Sequence, residues 1–115
     1  MAEKEVIQKN FEEYWEIAEY SMSKGKYNAA VILYYKALVE ICDRELLKAV
    51  HKIGANHTER FALLEKNAPE LYGIASRLFR FYRDSYNKEI TETVAKLVKN
   101  EVEHAQRIST TVQKN

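Results

Sequence analysis

The sequence predicts an all-α fold, an antiparallel up-and-down bundle of four long helices and one short helix in a single domain spanning residues 1–115. Three observations lead there. Apolar residues recur at steps of three and four along most of the chain, the period of a helix with one buried face. Helix-stopping residues are scarce, three glycines and one proline in 115 residues, and most stand where the apolar stripes break off. No stretch alternates apolar and polar residues as a half-buried strand does, and no Asn-Gly hairpin signal occurs.

The first helix is expected from Glu3 to Ser23, with Ile7, Phe11, Tyr14, Trp15, Ala18 and Met22 on one face and Glu12, Glu13, Glu16 and Glu19 on the other. Gly25 ends it, because glycine enters the left-handed conformation that closes a helix without strain. The second helix, Tyr27 to His51, carries the widest apolar stripe, Tyr27, Ala30, Val31, Tyr34, Leu38, Ile41, Cys42, Leu46 and Ala49, and should be the most buried. Thr58 is the expected N-cap of a short third helix that contains Phe61, Leu63 and Leu64 and ends at Asn67. Pro69 opens the fourth, expected to reach Asn87, since the first turn needs no N–H from it. Its inner face is Leu71, Ile74, Ala75, Leu78 and Tyr82, with Ser85 or Tyr86 next. The fifth helix runs from Glu89 to Val112 on Val94, Leu97, Val98, Val102, Ala105 and Ile108. Short connections imply antiparallel neighbours.

Composition narrows the function classes. Hydrophobic residues form 46% of the chain and charged residues 30%, which excludes a disordered segment. The net charge of +1 gives no global attraction to nucleic acid, so phosphate binding would need a local patch. Cys42 is the lone cysteine and has apolar helical neighbours, which points to a buried thiol in a reducing compartment. No window approaches the ~20 apolar residues of a membrane span, and the start lacks the apolar core of a signal peptide. A cytoplasmic protein with no membrane partner is the expectation.

One polar feature is organised. At 100° per residue, Arg77, Arg80, Arg83, Asp84, Asn87 and Lys88 share the outer face of the fourth helix. Guanidinium groups one turn apart hold phosphates through bidentate bonds, with Asp84 placed to orient them. Elsewhere the chemistry does not converge. His51, His57 and His104 lie on separate segments without metal-ligand spacing and read as surface or cap residues. No nucleophile elbow, phosphate-binding glycine loop or Cys-x-x-Cys pair is present, so no catalytic residue, metal or cofactor is assigned. Eight tyrosines accompany four phenylalanines. Tyr14, Tyr27, Tyr34 and Tyr82 fall at core-facing steps, whereas Tyr20, Tyr35, Tyr72 and Tyr86 fall at edges. Tyr14, Trp15 and Tyr86 are the candidate interface anchors, since a ring with a wet polar tip suits an interface.

With these elements in place, the chain from Tyr14 to Ile108 resembles the HEPN (higher eukaryote and prokaryote nucleotide-binding) families. The likeness rests on Ser23-Lys24-Gly25-Lys26-Tyr27, on Ala29-Ala30 with Tyr34-Tyr35-Lys36-Ala37-Leu38, on Gly54, Leu63-Leu64 and Pro69-Glu70-Leu71, and on the run from Leu78 to Tyr86. The resemblance implies a small dimeric all-α bundle, either a ribonuclease or a toxin-like protein paired with a nucleotidyltransferase-like partner. Ribonuclease members place a histidine after an arginine with four to six residues between the two. Here none follows Arg77, Arg80 or Arg83 at that spacing; Arg44 and His51 satisfy it only at the end of the second helix. A non-catalytic domain that binds such a partner, or RNA or nucleotide phosphates, through the arginine stripe is therefore the first expectation. A metal-independent ribonuclease with a composite dimer site, Arg80 or Arg83 meeting His51 or His104 of the other subunit, is the second. A tetratricopeptide-like adaptor is the third. A homodimer is expected from charge as well: residues 1–23 carry six acids and two bases, residues 71–88 four bases and one acid. The first helix of one subunit would then face the fourth of the other.

Overall fold

A computed structural model describes residues 3–114, and side chains through Thr110. It contains five helices: α1 (Glu3–Ser23), α2 (Tyr27–Val50), α3 (His57–Asn67), α4 (Pro69–Asp84) and α5 (Glu92–Lys114). No strand occurs among the described residues. The longest dimension, 37 Å, matches the length expected of α2, whose 24 residues at a rise of about 1.5 Å span about 36 Å. Every other helix packs on α2. Its Ala30, Val31, Tyr34, Leu38, Ile41, Cys42 and Leu46 are essentially sealed from water, as the wide stripe predicted. Leu64, Leu71, Ile74, Leu78, Val98 and Val102 close the core from α3, α4 and α5. Burial pushes the Cys42 thiol up to about 12, with Asp43 adding to the effect.

Two breaks follow the expected chemistry. Gly25 takes φ +73° after α1, and His51 caps α2 in the left-handed region at φ 58°. Three boundaries differ from expectation. Asn56, not Thr58, caps α3: its side chain accepts the Glu59 N–H at 2.9 Å while Glu59 accepts the Ala55 N–H at 2.9 Å, a reciprocal capping box. α4 stops at Asp84, and α5 begins at Glu92 rather than Glu89. Asn28 accounts for both shifts. Its amide donates to Ser85 O at 2.8 Å and Lys88 O at 2.6 Å and its oxygen accepts the Ile90 N–H at 2.9 Å. That clamp holds residues 85–90 as a turn against the start of α2 and buries Ile90.

The face assignments hold with four exceptions. Ala49, assigned to the α2 stripe, is exposed, because the buried part of that stripe ends at Leu46. Leu97, assigned to the inner face of α5, is 44% exposed and Ala95 is buried in its place. Tyr35, assigned to an edge, is buried and donates its hydroxyl to Ala75 O at 2.9 Å. Of the two candidates after Tyr82, Ser85 is buried and Tyr86 exposed. Val112 lies outside the residues whose side chains are described.

Buried polar groups tie the helices together. Arg60 on α3 makes a two-pronged bond to Asp43 on α2, at 2.9 and 3.2 Å, and donates to Gly54 O at 3.1 Å. Gly54 lies so close to that helix that a Cβ there would meet the Arg60 Cβ at 2.6 Å, so only glycine fits. Arg44 near the end of α2 donates to Gln8 of α1 at 2.9 Å and to Gln106 and Ser109 of α5 at 2.8 and 2.7 Å. Ser109 in turn donates to Glu45 at 2.6 Å.

Candidate functional site

The arginine stripe exists on α4, but its members are committed differently. Arg77 is drawn to α5, where Nη2 donates to Glu101 at 2.7 Å. Arg80 stacks over its neighbour Phe81, 4.6 Å from the ring centroid, and Arg83 lies 5.4 Å from the centroid of Phe79. Neither Arg80 nor Arg83 has a carboxylate within ion-pair distance among the described residues. Their charges are exposed and held over aromatic faces, an arrangement that lowers the entropy lost on meeting a ligand. Asp84 spends its carboxylate on Lys88, at 3.5 Å.

Asn87 and Lys88 are a correction. The stripe placed them on the fourth helix, whereas they lie in the turn beyond it, with the Lys88 N–H bonded to Asp84 O at 2.8 Å. The cause is the Asn28 clamp, which diverts the chain before another helical turn forms. The linear stripe is therefore Arg77, Arg80, Arg83 and Asp84.

Beside it the packing leaves a groove. α4 and α5 diverge around a cavity of about 830 Å³, with Leu78 and Phe81 at its base, Leu97 along one wall and Arg77, Arg80 and Lys96 at its edge. Lys96 is partly neutralised by Glu92 at 3.1 Å. Leu97 is one of five exposed large apolar residues among the described residues; the others are Tyr86 and, on α1, Val6, Ile17 and Tyr20. The groove combines an apolar base with a cationic edge, which suits a protein segment that is apolar at its centre and acidic at its margin.

The three interface candidates do not form one patch. Trp15 is half-buried, packed edge-on against Tyr34 at 5.1 Å and stacked with Phe11 at 6.2 Å. Tyr14 and Tyr86 lie elsewhere, both beside Tyr82: Tyr14 lines a cavity with it, and the Tyr86 hydroxyl donates to the Tyr82 hydroxyl at 2.8 Å.

The histidines divide. His51 is a cap and His104 is exposed on α5, as expected. His51 follows the end of α2, whereas Asn28 holds the segment after Arg83 at the start of α2. Arg83 and His51 of one chain are thus separated by about one helix length, on the order of 30 Å. His57 is neither cap nor surface residue. Its ring is enclosed by Phe79 at 5.1 Å, Tyr82 at 5.8 Å, Tyr35 at 6.2 Å and Phe61 at 6.3 Å. Burial, then the charges of Arg60 and Lys36, lower its pKa and keep it neutral. A sequence signal existed for this cluster: Arg60 and Phe61 stand three and four residues after His57, on the same side of a helix. No group of three metal-ligating side chains occurs among the described residues. Comparison with protein-family models, with curated proteins and with solved structures finds no match to this chain.

Proposed function

We propose that this protein is a non-catalytic binding domain, with HEPN-like up-and-down helix order, that docks a protein partner along the α4–α5 face. The groove carries the reading: an apolar base of Leu78 and Phe81, an exposed Leu97 and an edge of Arg77, Arg80 and Lys96. Arg83 and Lys88 extend the positive charge beyond it. The resemblance supplies the partner class, a nucleotidyltransferase-like protein. Apolar area at the centre would carry affinity, and the arginines would set orientation and association rate.

The test is co-purification and titration with a nucleotidyltransferase-like protein, taken from an adjacent reading frame where one is encoded. Leu97→Asp should abolish the complex, and the Arg80→Ala/Arg83→Ala double variant should weaken it and flatten its salt dependence. Binding unchanged in both variants refutes the reading. If single-stranded RNA binds with a steep salt slope, lost in the arginine variant and indifferent to Leu97→Asp, the stripe contacts phosphate instead.

A second occupant is favoured by α1. Ile17 and Tyr20 are 49% and 57% exposed and lie beside Glu13 and Glu16, the chemistry that complements the groove. In a homodimer the α1 of one copy would fill the groove of the other. Sedimentation at micromolar concentration should then give twice 13.5 kDa, and Leu97→Asp should return the monomer. A monomeric mass at high concentration and low salt excludes this occupant.

A further inference from the structure

On the flank of α4 opposite the groove, α1, α2, α3 and α4 enclose a second cavity of about 290 Å³, bordered by His57, Lys36, Tyr82, Glu40 and the rings of Tyr14 and Tyr35. A count of its donors and acceptors shows a mismatch. The His57 Nδ1 is buried without a hydrogen-bond partner. A buried N–H without an acceptor is costlier than an unpaired lone pair, which places the ring proton on Nε2, the nitrogen left to meet the cavity. The Tyr82 oxygen already accepts the Tyr86 hydroxyl, so its own hydrogen is left to donate. Lys36 lies with its ammonium 5.9 Å from the Tyr82 ring centroid and has no ion-pair partner among the described residues.

Against these three donors the lining sets one carboxylate, Glu40. Arg60 also borders the cavity but is engaged by Asp43. Glu40 accepts the Asn10 amide at 3.2 Å through Oε1 alone; burial raises its pKa, while the charges of Arg60 and Lys36 act to lower it. Three uncommitted donors, one of them cationic, constitute a receptor for an oxyanion. The volume is at the lower end of ligand pockets, and the opposite walls are tyrosine rings.

We propose that this cavity binds a small organic acid, a single ring bearing one carboxylate or phosphate, with the oxyanion on Lys36, His57 and Tyr82 and the ring against Tyr14 and Tyr35. The site is separate from the α4–α5 groove and does not depend on what occupies it.

Benzoate, phenyl phosphate, inorganic phosphate and benzyl alcohol are titrated into isotope-labelled protein while the His57 ring resonances are followed by NMR. Benzoate or phenyl phosphate should shift them saturably, and benzyl alcohol should not. The tighter of the two acids distinguishes a carboxylate from a phosphate ester. Lys36→Met should weaken that binding about tenfold or more, and Tyr82→Phe about threefold, with the amide spectrum otherwise that of the folded protein. Lys36→Met removes only a charge at the cavity edge, so it remains informative if Tyr82→Phe fails to fold. No saturable shift with either acid overturns the proposal. So does binding that Lys36→Met leaves unchanged, and so does a response to inorganic phosphate alone.

Discussion

Replacing Asp43 by alanine should be among the most damaging polar substitutions in this chain. The Asp43–Arg60 side chains are 6% and 11% exposed, so water can do little to compensate a partner left alone. Asp43 accepts both prongs of the guanidinium, at 2.9 and 3.2 Å, and a longer bond of 3.5 Å from the Gly54 N–H. Removing one member of such a buried pair costs about 3–5 kcal/mol, because a desolvated charge remains. Total stability of a domain this size is about 5–15 kcal/mol, so the melting temperature should fall on the order of 10–20 °C. Urea unfolding followed by circular dichroism measures the loss, provided the slope with urea stays constant. The mechanism makes a second, sharper demand. Arg60→Met should cost a similar amount, and Asp43→Ala/Arg60→Met should cost less than the sum by about 2–3 kcal/mol. A loss under about 1 kcal/mol for Asp43→Ala, or strictly additive singles, would refute the assignment of this pair as the tie between α2 and α3.

Two further outcomes are expected. Asn28→Ala removes three bonds between the start of α2 and residues 85–90 and should cost about 2–3 kcal/mol, with the Ile90 amide exchanging faster with solvent; an unaltered Ile90 rate would disprove the clamp. The lowered pKa of His57 means that the unfolded chain takes up a proton the folded ring refuses. Stability is therefore full above about pH 6.5 and declines as pH falls below it, toward the lower folded value. His57→Gln should lose that component of the slope between about pH 7 and pH 5.5, and parallel profiles for the two proteins would contradict a buried neutral imidazole.

Helix identity was legible because period and punctuation agreed: Gly25 and Pro69 fall where the stripes break, and propensity never opposed pattern. Finer detail required partners that the sequence does not order in space. Asn56 and Thr58 are both competent caps two residues apart, and the reciprocal bond with Glu59 selects the first. Tyr35 reads as an edge residue only while α2 is given one covered face; with helices packed around it, that edge is interior and the hydroxyl must find Ala75 O. Asp43 and Glu45 look like solvated charge by type; Arg60 and Ser109, arriving from distant segments, make their burial tolerable, with Lys48 adding an ion pair to Glu45 at 3.1 Å. The arginines of the candidate site were legible from helical spacing. The groove was not, since the separation of α4 and α5 follows from the turn that Asn28 imposes. The oxyanion cavity was hidden for the same reason, its lining coming from four helices.

The sealed thiol of Cys42 gives the protein an internal clock. Only the thiolate attacks a thiol reagent, and here both access and ionisation are denied while the core is closed. Modification must wait for an opening that brings α2 into water. When closing outpaces the reagent, the observed rate is the rate for a free cysteine multiplied by the open fraction, and each tenfold of slowing corresponds to about 1.4 kcal/mol of opening free energy. When the reagent outpaces closing, the same reaction times the opening itself. Occupancy of the groove or of the oxyanion cavity can thus be read as a slower label at one unmodified residue, without a fluorophore or an engineered probe.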